Sequence, residues 1–304
     1  MTQQQHDVDV VSAPPKTWFI TGASRGLGLE IVKAAIQTGD RVVAAARKRS
    51  SITARLGPDS DQLLSLELDV TRPAQARAGV ESAIARFESI DVLVNNAGFG
   101  HYGFFEESTI DEARAQFETN LFGVFNVTWA ALPAMRSARK GHILNVSSLG
   151  GLLGGAMASL YCATKFAVEG FSESLAKEVA AFGVSVTIVE PGPFRTEFLT
   201  PESLRLAHNP IADYNDRRAA ILAGIDQRNG NQPGDPEKLA NALMRLANDA
   251  SPPMRFLAGS IALSAAEEKL ATMGVELNNW RPLSVSTDGL FGNSNVGNLQ
   301  SLIR

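Results

Sequence analysis

The stretch KTWFITGASRGLG (16–28) opens on an apolar run and closes on Gly22, Gly26 and Gly28. KTWFIT (16–21) reads as a short buried strand, and Leu27 to Thr38 as a helix closed by Gly39. A strand entering a helix through a glycine turn predicts a βα unit whose backbone can approach a pyrophosphate. The helix N-terminus would add amide donors and a favourable dipole. The spacing is G-x-x-x-G-x-G, which differs from the commoner G-x-G-x-x-G fingerprint. A tight turn that binds nothing is the competing reading, and the strand–turn–helix placement favours a nucleotide. Ser24, Arg25 and Leu27 belong to the same turn.

The rhythm set by this unit continues along the chain. RVVAAA (41–46), LLSLEL (63–68), DVLVNNAG (91–98), GHILNVSS (141–148), SVTIVEPG (185–192) and MRFLAG (254–259) read as further strands. Helices are expected from Pro73 to Phe87, over 110–135, from Leu160 to Phe182, and after Asp235, which caps a helix with Pro236 in its first turn. Strands alternating with long helices predict a doubly wound α/β fold with a parallel sheet, here of seven strands, covered on both faces. No Pro/Gly/Ser linker interrupts the series. One domain is therefore expected over 16–288, with a flexible leader at 1–15, a substrate-loop insertion at 193–232 and a partly mobile tail at 289–304. From Glu268 onward helix signals are poor.

The 304 residues carry a formal net charge of −4, which steers the protein toward neither nucleic acid nor an anionic membrane. No apolar run is long enough to cross a bilayer, and no apolar signal core follows Met1. Cys162 is the only cysteine, which excludes an internal disulfide and fits a cytoplasmic location. His6, His101, His142 and His208 lack metal-ligand spacing.

The end of the second strand bears on which dinucleotide binds. An acid there would hold the adenosine ribose hydroxyls. The sequence instead reads AAARKRS, with Arg47 at that place, and Arg25 can reach the same corner. Two guanidiniums suit a 2′-phosphate, so NADP(H) is expected. The competing reading is a solvated basic loop. Asp69 is placed to meet the adenine edge, to cap the next helix, or both, and Val70 to pack on the base. In NNAG (95–98), Asn95 and Asn96 can lock a turn in which Ala97 and Gly98 let backbone pass close to a cofactor.

YCATK (161–165) sets Tyr161 four residues before Lys165, on one helix face. A phenol titrates near 10, and an adjacent ammonium favours the phenolate. The pair can therefore exchange a proton with a carbonyl or alcohol, and Lys165 can also hold ribose hydroxyls. Ser148 ends the fifth strand and can orient the carbonyl. Ser147 is its rival, because side-chain alternation turns only one of the two inward. Asn120 sits inside a helix, where Asn is a poor former; the residues themselves leave open whether it bends the helix to hold a water or is merely tolerated.

TGASRGLG (21–28), LDV (68–70), NNAG (95–98), Asn120, Ser148, YCATK (161–165) and PGPFRT (191–196) together resemble the short-chain dehydrogenase/reductase family. The step of thirteen residues from Ser148 to Tyr161 is also that family's. The resemblance spans about residues 16 to 260 and implies a Rossmann-type domain that assembles as a homodimer or homotetramer. It implies that Tyr161 is the general acid/base, Lys165 its helper, Ser148 the orienting hydroxyl and Asn120 part of a proton relay. It further implies that Pro191, Gly192 and Thr196 lie at the nicotinamide end. A small-molecule carbonyl or alcohol substrate is expected, walled by Phe99, Tyr102, Phe104, Leu152, Leu153, Met157, Phe194 and Phe198. An epimerase or dehydratase using bound nicotinamide, or a non-enzymatic NADP(H) sensor, are the alternatives. The chain runs on past its last strand, whereas bacterial 3-oxoacyl reductases of this family end in a DGG segment.

Overall fold

Thr17–Thr21 (β1) is buried along its whole length. Trp18 and Ile20 turn to one face of the sheet, and Phe19 turns to the other. That period of two is what a strand covered on both sides requires. The computed structural model describes residues 14–289. The expected leader and tail thus lie outside the described residues, except for residues 14, 15 and 289.

Gly26–Gln37 (α1) follows β1 and leads to Arg41–Ala46 (β2). Arg49–Leu56 (α2), Leu63–Glu67 (β3), Pro73–Phe87 (α3) and Val92–Asn95 (β4) complete the first half. Gly141–Val146 (β6), Val184–Pro191 (β7) and Arg255–Ala258 (β9) add the rest of the main sheet. All neighbours pair in parallel, in the order β3-β2-β1-β4-β6-β7-β9. The expected seven-stranded, doubly wound sheet is therefore what forms. Gly100–Tyr102 (β5) and Leu204–Leu206 (β8) make a separate two-stranded sheet that ties the insertion to the body. It is too short to be read from periodicity.

One face of the main sheet is covered by α1 and by Pro236–Ala247 (α8), through Ile31, Val32, Leu239 and Leu243. Asp235 caps α8 as expected, accepting from the Glu237 and Lys238 amides. The other face is covered by α3, by Gly123–Ala138 (α5) and by Ser159–Val179 (α6), through Val80, Val127, Met135 and Leu175. The expected single helix over 110–135 is instead Ile110–Phe117 (α4), a π-helical turn at Glu118–Phe122, and α5.

The insertion, where the sequence allows short helices, contains Asn215–Arg228 (α7). One element corrects the expectations outright. The segment from Glu268 is not weakly structured: Ser260–Val285 is one helix of 26 residues (α9). Its apolar residues are mostly exposed, so they lack the buried stripe by which a surface helix is recognised.

His142, on β6, gives the fold an acid-sensitive point. Its Nε2 lies 2.9 Å from Thr187 Oγ1, which itself donates to the Pro253 carbonyl. Burial holds the imidazole down at about 4, with the Lys16 charge adding to the effect. An unfolded chain takes up this proton near 6.5, whereas the folded one refuses it until about 4. Stability is therefore expected to hold above that upper value and to fall as pH drops through the window. Urea midpoints between pH 7 and 4.5 check this; a His142→Gln variant should show the shallower decline.

Candidate active site

The strand order reverses between β1 and β4, and their carboxyl ends open the crevice in which doubly wound folds bind ligands. A cavity of about 1310 Å³ occupies it. Gly22 stands at φ +66, where an added Cβ would lie 2.9 Å from Ala97 Cα. At Gly28 the added carbon would lie 2.3 Å from the Gly22 carbonyl oxygen. Asn96 clamps this turn, its Nδ2 donating to Thr21 O at 3.0 Å and Gly22 O at 3.2 Å. Asn95 does not share that task. Its amide is buried and donates to Thr128 Oγ1 and Asn145 Oδ1, linking β4 to α5 and β6.

Gly22, Ser24, Arg25, Gly26, Leu27, Arg47, Asp69, Val70, Asn96, Ala97 and Gly98 all line the cavity, and Pro191, Gly192 and Thr196 line it too. Gly28 is buried just behind this lining. Asp69 receives the Thr71 amide and hydroxyl on one oxygen, holding the turn before α3. At the β2 corner Arg49 is engaged with Asp59 and the Ser65 carbonyl. Arg47 and Lys48 face the cavity and make no ion pair among the described residues. Lys48 and Ser51 are lining residues that the sequence reading missed. Arg25 departs from expectation: its Nη2 donates to Glu202 O at 2.7 Å and Ser203 Oγ at 2.8 Å, in the insertion, and does not pair with Arg47. The glycine cradle with its unpaired cations fits a nicotinamide dinucleotide. Gly28→Ala is expected to strain the turn by about 1–3 kcal/mol and to weaken NADPH binding, read by nucleotide fluorescence; unchanged binding would place the cofactor elsewhere.

Tyr161 and Lys165 stand one turn apart on α6, both buried and both on the cavity wall. Ser148 comes from the end of β6. A Cβ added to Gly150 would lie 3.1 Å from Tyr161 Cε1 and 3.5 Å from Ser148 Oγ. The two side chains thus converge over a glycine that leaves the space between them open. Ser148 Oγ accepts the Gly150 amide at 3.0 Å, and its hydroxyl bonds the phenol. Burial pushes the Tyr161 hydroxyl well above its ordinary range, and the Ser148 bond pulls the other way. Lys165 Nζ lies 5.8 Å from the Tyr161 ring centre and donates to Val146 O at 2.7 Å. Burial brings its ammonium down to about 8. The expected lowering of the phenol by the lysine is therefore not seen in this arrangement. Asn120 lies in the π-helical turn. Its amide is spent on the Phe99 N–H, the Phe99 carbonyl and Thr164. The π turn is a local bend, one of the two readings that the residues themselves left open.

The model of the short chain dehydrogenase family matches residues 16–206. The chain belongs to that family. As an oxidoreductase of this family it is 37% identical over 273 residues to the oxidoreductase BOA17 of Botryotinia fuckeliana, covering 90% of this chain and 99% of that one. A short-chain dehydrogenase from Streptomyces avermitilis superimposes with a TM-score of 0.83 at 36% identity, covering 91% of this chain and all of that one. ElxO, solved with NADP bound, matches at a TM-score of 0.65 and 26% identity, over 78% of this chain and 93% of its own. The 3-ketoacyl-(acyl-carrier-protein) reductase of Brucella melitensis, complexed with NADH, matches at 0.65 and 27%, over 79% and 92%.

In this dehydrogenase the substrate end differs in part from the expected wall. Phe99, Tyr102, Leu153, Phe194 and Phe198 line the cavity. Phe104 instead stacks on Tyr214 at 4.2 Å, and neither Leu152 nor Met157 is a lining residue. Ile225 and Gln232 from the insertion and Ile261 from α9 take their places. Behind the site, Ser147 turns away from Ser148. Its Oγ and Glu169 Oε1 crowd Gly151, where an added Cβ would lie 2.5 and 2.6 Å from them. Arg255 bridges Glu169, Glu173 and Glu190. Burial, and the facing Glu169, raise Glu190 to about 7. Among the described residues no group of His, Cys, Asp and Glu could hold a metal ion, and no helix is long and apolar enough to cross a membrane.

Proposed function

We propose that this dehydrogenase transfers hydride between NADP(H) and an apolar small-molecule carbonyl or alcohol. The observation that carries the reading is the convergence of the Tyr161 phenol and the Ser148 hydroxyl over Gly150, with Lys165 one helical turn away. Ser148 has its oxygen anchored by the Gly150 amide and its hydroxyl bonded to the phenol, a bond that a carbonyl oxygen seated between the two would replace by accepting from both. Burial keeps Tyr161 in the protonated form that a reduction draws on. The phenol delivers that proton to the same oxygen as negative charge develops there. Lys165 supplies positive charge behind the phenol and is placed to hold ribose hydroxyls. Asn120 takes its part in proton supply through the π turn, since its side chain is occupied by Phe99 and Thr164. The bound nicotinamide supplies or accepts the hydride.

Preference for NADP(H) rests on Arg47 and Lys48, which face the cavity where an acid would otherwise select NAD. The apolar substrate class rests on Phe99, Tyr102, Leu153, Phe198 and Ile225. A carbonyl and alcohol panel followed at the nicotinamide absorbance, with both cofactors, tests the reading. Net NADPH consumption with at least about tenfold preference over NADH, roughly 1.4 kcal/mol, is expected. Equal catalytic efficiency with both would overturn the cofactor assignment. Altered substrate with unchanged cofactor would make the protein an epimerase or dehydratase.

A further inference from the structure

Behind the active site stand two buried carboxyl groups that the proposed chemistry does not use. Glu169 follows Lys165 by one turn of α6, as Lys165 follows Tyr161. Glu190 comes from β7, immediately before the cavity-lining Pro191 and Gly192. Glu190 is 0% exposed and Glu169 5%. The two carboxyls lie within hydrogen-bonding reach of each other. Arg255 Nη1 donates to Glu190 Oε1 at 2.7 Å and also to Glu169, while its Nη2 turns to Glu173.

That guanidinium leaves oxygens over. Glu169 Oε1 and Glu190 Oε2 are both buried with no hydrogen-bond partner. Ser147 Oγ shares the crowded corner at Gly151 with Glu169 Oε1, yet it has no partner either. An ionised carboxylate oxygen buried without a donor is costly, and two carboxylates side by side repel. One retained proton removes both penalties, because a protonated carboxyl becomes a donor to its neighbour.

We infer that Glu169 and Glu190 share one proton and together act as positioning residues for Lys165, fixing the charge on its ammonium. The charged groups facing the pair are Lys165 and Glu173 from α6 and Arg255 from β9. The 3₁₀ turn at Leu149–Gly151 adds no ionisable side chain. The negative charge on Glu169 favours the Lys165 ammonium, and Glu190 exerts no such pull. As the pair gives up its proton near 7, further negative charge builds beside a lysine that would lose its own near 8. The consequence for turnover rests on the part proposed for Lys165 above; the shared proton does not.

The test therefore reads the groups themselves, in the full chain. Infrared difference spectra titrated through about 7 should show the carbonyl stretch of one buried carboxylic acid. It should vanish in both Glu169→Gln and Glu190→Gln, since either leaves a single carboxylate beside Arg255. Carbon NMR of lysine-labelled protein follows Lys165, identified by the signal missing from Lys165→Arg. Its midpoint should fall by about one pH unit in Glu169→Gln. It should not fall in Glu190→Gln, where the charge stays on Glu169, and Glu169→Asp should restore it. In the parent the same signal should show a smaller step near 7, as the pair loses its proton. This measurement and the parent infrared spectrum need no variant of the pair to fold. A parent spectrum without the acid, or an acid that survives in either variant, would overturn the shared proton. A Lys165 signal with no step near 7, or an equal midpoint in Glu169→Gln and Glu190→Gln, would overturn the link to the lysine. Both results intact beside a turnover indifferent to Lys165 would leave the pair standing and remove the lysine from the mechanism.

Discussion

Tyr161→Phe is expected to lower turnover by about 10²–10⁴-fold while leaving NADPH affinity within about twofold. The substitution removes one oxygen. The ring remains packed against Phe198, at a centroid distance of 5.7 Å, and the buried wall of α6 is preserved. What is lost is the proton donor and the group to which the Ser148 hydroxyl is bonded. Steady-state turnover and fluorescence titration of NADPH separate the two effects. Turnover within about threefold of the parent would mean that another group supplies the proton, because so small a change is below any general-acid contribution. Loss of NADPH binding in the same variant would mean that the phenol holds the cofactor and not the proton.

Lys165→Met should cost about 10²–10³-fold in turnover, the range seen when a preorganised charge stabiliser is removed. A second readout is the pH profile. Burial sets the ammonium at about 8, so the cation is present below that value and lost above it. The rate of carbonyl reduction is therefore expected to fall as pH rises through about 8. Tyr161 contributes no limb in that range, since burial keeps it protonated well beyond. Lys165→Arg retains a charge that does not titrate there and should lose the alkaline limb even where its turnover is low. A parent profile that stays flat to pH 10 would show that the lysine's charge does not limit the reaction.

The parts of the molecule that could be read in advance are those whose residues answer to local rules. β1, β2 and α3 are legible because continuous apolar runs, Gly39 and Pro73 mark them without reference to neighbours. The cavity-lining turn at Gly22 to Leu27 is legible because its glycines fall between an apolar strand and the start of a helix, and Gly22 indeed stands at φ +66. Where reading failed, the deciding interaction was remote. Arg25 is drawn to Glu202 and Ser203, 177 and 178 residues away. Asn95 bonds Asn145 across two strands, a partner that only the sheet register reveals. Phe104 is taken from the substrate wall by Tyr214, on a turn that the sequence marks only as insertion. α9 was missed for the opposite reason. Its apolar residues are mostly exposed, with only Ala262 and Ala266 buried, so no stripe marks the helix.

The bonds from Arg25 to Glu202 and Ser203 fasten the rim of the nucleotide cradle to the insertion, a strap that lines the same cavity. One side chain is thus a shared hinge pin for two compartments. Straightening it to greet a 2′-phosphate would release the strap, and a seated strap would hold it back. Entry is therefore expected to be sequential, nucleotide before carbonyl, and product inhibition patterns should carry the mark of a compulsory order.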